Sequence, residues 1–127
     1  MNSKLTMVLR VFLGLLLLVF GANKFLGFMP AMEMPAPAGK LMGAMMESGY
    51  LFKLIGATEI VIGLLLLFKK WVPFALVVLA PISVNIIFFH LFLAPKGIAP
   101  AALVALLNIV LIYANWNKFK TLFQSWP

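Results

Sequence analysis

Cysteine is absent from this chain of 127 residues, which removes disulfides, thiolate metal sites and dithiol redox chemistry together. Histidine occurs once and the acidic residues number three, so no zinc or haem ligand set and no Ser-His-Asp arrangement is available. A phosphate-binding glycine loop and a hydrolase elbow are also missing. Charged residues make up only 10% of the chain against 65% hydrophobic, a balance that a water-soluble globular domain cannot bury. Lipid must take up the excess, and little polar sequence remains for a catalytic module outside the membrane. The net charge of +7 does not mark a nucleic-acid surface, because its lysines and arginine sit at the ends of apolar runs rather than on one polar face.

What is present reads as an all-α integral membrane four-helix bundle. A spanning helix needs roughly 20 apolar residues, and four such stretches occupy about 5–28, 50–68, 72–93 and 98–116. Lys4 and Arg10 precede the apolar core of the first as in a signal peptide, but the run is long and no clear small-x-small cleavage site follows, so a retained helix is expected. Arg10, Gly14, Gly21 and Lys24 fall on one face at about 100° per residue. In the second span Gly56, Glu59 and Gly63 do the same. Glycines let neighbouring backbones approach, so both faces should point into the bundle.

Between these spans Pro30, Pro35 and Pro37 break the chain, leaving 40–48 as a short helix that cannot span. Leu41, Met42, Met45 and Met46 form its apolar side and Gly49 its stop, as expected for a helix in the membrane interface. Pro81 should kink the third span. Phe119, Phe123 and Trp126 with Lys118 and Lys120 read as an interfacial anchor after the fourth. Lys4, Arg10, Lys69, Lys70, Lys118 and Lys120 lie on one side, Lys24, Lys40, Lys53 and Lys96 on the other, which favours both termini in the cytoplasm.

Ionisable groups within spans are costly and are functional candidates by default. With a rise of ~1.5 Å per residue, Lys24, Glu59 and His90 lie within roughly 5–10 Å of the outer ends of their helices. Two readings compete. Either Lys24 and Glu59 form a structural ion pair with His90 as a neutral partner, or the cluster is a pocket that binds a polar headgroup and exchanges protons with it, as a quinone or similar amphiphile requires. Asn23, Asn85 and Asn108 complete the candidate polar set, although Asn85 points away from the face shared by Ser83 and His90 unless Pro81 rotates the upper helix. Arg10 lies nearer the other end, where its long stem can snorkel, and reads as a topology anchor. Met29, Met32 and Met34, followed by Met42, Met45 and Met46, suit a Cu(I) site, but interfacial packing explains them and no metal is expected.

Arg10 with Gly14, the stretch Phe20-Gly21-Ala22-Asn23-Lys24-Phe25-Leu26-Gly27-Phe28, Ala57-Thr58-Glu59 followed by Gly63, and the late His90 together resemble the DoxX-like family of small membrane proteins. The resemblance covers nearly the whole chain, and the methionine- and proline-rich loop departs from it. It implies a four-helix inner-membrane protein, in a family linked to quinone-coupled sulfur oxidation, redox defence complexes and assembly of other membrane proteins. The leading expectation is an accessory subunit that binds a quinone or lipid-like amphiphile within a redox-linked membrane complex whose partner subunits carry the electrons. The alternative is an assembly or scaffold protein with no catalytic activity. A stand-alone isomerase using Glu59 and His90 as acid and base ranks last.

Overall fold

The computed structural model describes residues 2–29 and 33–125, so Pro30, Met32 and Trp126 lie outside the described residues. Helix α1 is Ser3–Leu26, and both its ends have local causes. At the start, the Asn2 side chain accepts hydrogen bonds from the amides of Lys4 and Leu5. At the end, Gly27 takes a left-handed φ of 62° and donates to the Asn23 carbonyl. The helix therefore stops two residues short of the expected Phe28.

Helix α2 covers Ala36–Glu47, beginning four residues before the expected Lys40. Pro37 was expected to interrupt the chain, yet it falls in the first turn, where an amide has no partner within the helix to lose. Ala38 is fully buried and Met42 and Met45 are half-buried, whereas Leu41 and Met46 are exposed, so the apolar side expected for this helix divides between protein and surroundings. Ser48 closes the helix by donating to the Met45 carbonyl and accepting from the Leu51 amide. Gly49, at φ 83°, turns the chain into α3, Leu51–Leu67. The two helices meet at 86°, so α2 lies across the end of the bundle.

Helix α4, Val72–Phe92, runs on through Pro81, and α5, Ile98–Ala114, follows a single 3-10 turn at Pro95–Gly97. The short α6, Trp116–Phe119, leads into a 3-10 turn at Lys120–Phe123. Ser3–Leu26, Val72–Phe92 and Pro95–Ala114 are each long and apolar enough to cross a membrane. At 17 residues α3 is about 25 Å long, at the short limit for a span. The chain is thus a helical membrane bundle with three spans, or four with α3.

Helix α1 packs between α3 and α5, and α4 packs between the same two on the opposite side, closing a ring. Leu13 and Leu17, Ile62 and Leu66, Leu76 and Leu79, and Leu107 and Leu111 fill its centre. Phe119 joins them at 2% exposure, which corrects its reading as an interfacial anchor. The aromatic surface at this end is instead Trp116 stacked on Phe123 at 5.4 Å.

The closest approach is between α1 and α3, where two glycine pairs cross. A Cβ on Gly63 would stand 2.8 Å from the Gly14 carbonyl oxygen, and one on Gly14 3.0 Å from that of Gly63. Seven residues along, a Cβ on Gly21 would stand 2.8 Å from the Gly56 carbonyl oxygen, and one on Gly56 3.2 Å from that of Gly21. The reciprocal spacing fixes an antiparallel seam in one register. Both charged ends of that seam are set by it.

Candidate functional site

At one end of the seam Lys24 and Glu59 meet. Side chains on a helix lean toward its N-terminus, so Lys24 near the end of α1 leans into the bundle while Glu59 on antiparallel α3 leans outward to meet it. Lys24 Nζ lies 2.7 Å from Glu59 Oε1, with Glu59 2% exposed and Lys24 19%. At this separation the two form a close ion pair. Gly56 leaves room for this lysine: a Cβ there would stand 3.0 Å from Lys24 Cβ.

The lysine also faces outward. Its Nζ stands 5.7 Å from the centroid of the Phe52 ring, a cation–π contact. It lines a cleft of about 250 Å³ with Met45 and Met46 of α2 and Gly49, Tyr50, Phe52 and Lys53. The cleft thus combines two cations, two aromatic rings and two flexible thioethers at the end of the bundle that α2 crosses. Lys24 connects this cleft to the buried carboxylate.

The other expected members of the set are placed elsewhere. His90 is half-buried at the end of α4; its Nδ1 is 3.2 Å from the Ala94 carbonyl oxygen and its ring stands edge-on to Phe89. Among the described residues it makes no hydrogen bond to Lys24 or Glu59. Asn23 accepts from the Met29 amide at 2.8 Å and so shapes the turn that ends α1. Asn108, 2% exposed, donates to the Leu76 carbonyl at 3.1 Å and ties α5 to α4. Asn85 is exposed on the outer face of α4, and Pro81 does not bring it inward.

Arg10 corrects a further expectation. Rather than snorkelling, it is buried at 8% exposure and donates to the Leu66 carbonyl, with the Leu67 carbonyl oxygen 3.4 Å away. These carbonyls belong to the last turn of α3, which carries the negative end of the helix dipole and where the Lys69 amide reaches the Leu66 oxygen only at 3.4 Å. The burial follows from its place one turn before Gly14, on the face that contacts α3. That face was legible; the carbonyl partner was not.

Seam, ion pair and capping arginine fall within residues 5–91, which match the family model described as DoxX. The chain belongs to the DoxX family. The match spans roughly two-thirds of the sequence and ends at the last turn of α4, so Asn108 and α5 lie beyond it. No curated protein and no solved structure matches the chain. In this DoxX protein the lining residues Tyr50, Phe52 and Lys53 were missed from sequence because the first two fall at the start of an apolar span and Lys53 counts as a topology charge. Their grouping depends on the 86° turn between α2 and α3, which no spacing in the sequence reveals.

Proposed function

We propose that this protein is an accessory subunit of a redox-linked complex in the bacterial inner membrane, with both termini cytoplasmic, and that it binds the headgroup of a quinone or lipid-like amphiphile. The observation that carries this reading is that one lysine serves two environments, a buried carboxylate at 2.7 Å and the wall of an amphipathic cleft. Cation, ring and thioether surfaces suit a headgroup with polar oxygens and an apolar tail. A carbonyl or anionic oxygen entering the cleft competes with Glu59 for the Lys24 ammonium, which links binding to the charge of the carboxylate. The chain has no ligand set for an electron carrier, so partner subunits supply it.

The test is purification from native membranes with lipids and partners retained, followed by quantification of bound quinone and lipid in unsubstituted and Glu59→Gln protein. The amide keeps shape and hydrogen bonding but removes the charge. The reading expects a stoichiometric amphiphile in the first and its loss from a folded Glu59→Gln protein. Full retention in that variant overturns it. A stoichiometric protein partner with no amphiphile in either sample replaces it with a scaffold.

A further inference from the structure

Most polar side chains within the helices are tied to a named acceptor. Thr58 and Asn115 donate to carbonyls four residues back, at 2.8 Å each, and Asn108 crosses to α4. Asn85 differs. It is exposed, and its carboxamide hydrogen-bonds to no described residue. It precedes Phe92, the last residue of α4, by seven positions, which is ~10 Å along the axis. Lysine or arginine at that depth reaches the interface with a long stem, and asparagine has none. An isolated chain would hold a donor and an acceptor against hydrocarbon, which is costly.

The residues around Asn85 form a regular surface. Phe74, Pro81, Phe88 and Phe92 are exposed and Val78 is half-buried, and with Asn85 their spacing alternates four and three. That is the repeat of a helix–helix seam, with Asn85 on its central line. We infer that this face of α4 joins two copies of the protein about a two-fold axis along the membrane normal, with the two Asn85 carboxamides hydrogen-bonded to each other.

A second copy is the occupant for three reasons. A carboxamide carries both donor and acceptor, so it is its own complement under two-fold symmetry. Insertion gives every copy the same orientation, so α4 meets α4 in parallel and position 85 meets position 85 at the same depth. Finally, no ionisable residue stands between Val72 and Phe89, so the face asks for an apolar partner bearing one amide at that depth. The same face of another copy meets that description. A single polar residue within an apolar seam fixes register and partner number in the same way.

The absence of cysteine makes the test clean, because Asn85→Cys introduces the chain's one thiol. Oxidation of native membranes with copper–phenanthroline should give a covalent homodimer for Asn85→Cys and none for Ile109→Cys, which is 65% exposed on α5. Energy transfer between labelled copies in proteoliposomes should show Asn85→Leu raising the dimer dissociation constant about 3- to 30-fold, the range of hydrogen bonds between membrane helices, while Asn85→Gln restores most of it. The site is exposed, so these variants should fold, which circular dichroism checks. Cross-linking no stronger than that of Ile109→Cys, equal association of Asn85→Leu, or a cross-link to a different protein in place of the homodimer would each overturn the inference.

Discussion

Replacing Gly63 by alanine tests whether the α1–α3 seam sets the geometry of the bundle. The new methyl carbon would stand 2.8 Å from the Gly14 carbonyl oxygen, 3.0 Å from Leu18 Cγ and 3.2 Å from the Leu18 amide nitrogen. Two of these are backbone atoms of a packed helix, so relief requires α1 to move rather than a side chain to rotate. Overpacking of this kind costs about 1–3 kcal/mol. Alanine also gains up to about 1 kcal/mol of helix propensity over glycine, which hides part of the loss. Gly43→Ala in α2 separates the two, because a methyl there meets nothing within 4 Å. Unfolding by SDS in mixed micelles, followed by tryptophan fluorescence, should place Gly63→Ala below Gly43→Ala by about 1–3 kcal/mol. Adding Gly14→Ala to Gly63→Ala should cost less than the sum of the two, since both methyls press on one crossing and the first opens room for the second. Equal stability of Gly63→Ala and Gly43→Ala would refute the seam.

Arg10→Met should lower stability by about 1–3 kcal/mol by stripping the donor from the last carbonyls of α3; Arg10→Lys should recover only part, as one compact ammonium replaces a fork of donors, and the same SDS titration reads both. Lys24→Met should cost about 3–5 kcal/mol by leaving a buried carboxylate unpaired, whereas Lys24→Met with Glu59→Leu should recover most of it, a double-mutant cycle that fails if the pair is uncoupled. With both termini cytoplasmic, an impermeant maleimide added outside should label Glu47→Cys, exposed at the end of α2, and spare Ser125→Cys; outside labelling of Ser125→Cys reverses the topology.

The faces of α1 and α3 were legible because glycine and charge repeat at helical spacing and membrane burial leaves such residues one direction to point. Glu59 lies between Gly56 and Gly63 in sequence, and those glycines meet Gly21 and Gly14 in the fold. The Lys24–Glu59 contact followed from opposite charges at one depth. His90 was not placed with them because depth arithmetic ignores azimuth: a residue at the right height still bonds to a nearby acceptor, here the carbonyl of Ala94 just past the end of its own helix. The acceptors of Arg10 and Asn108 were illegible for a shared reason. They are backbone carbonyls, which every residue carries and which leave no trace in composition. The start of α2 was missed because proline was read as a breaker, a rule that lapses in the first turn.

The two cations that α1 directs at α3 differ in what their partners permit, and the proposed function draws on that difference. Arg10 holds carbonyls of Leu66 and Leu67, so its release undoes a helix end and exposes nothing but backbone. Lys24 holds a side chain, and it already stands in the wall of a cleft. A ligand oxygen that draws the ammonium away leaves α1 and α3 joined by Gly14 on Gly63 and Gly21 on Gly56, so the exchange costs electrostatic pairing without opening the bundle. The glycine seam therefore does more than shorten a distance. By holding the helices together independently of the charges, it leaves the Lys24–Glu59 pair free to be traded for the ligand proposed above, and on that proposal binding and the charge of the carboxylate would be coupled at the end of the bundle crossed by α2 rather than at Arg10.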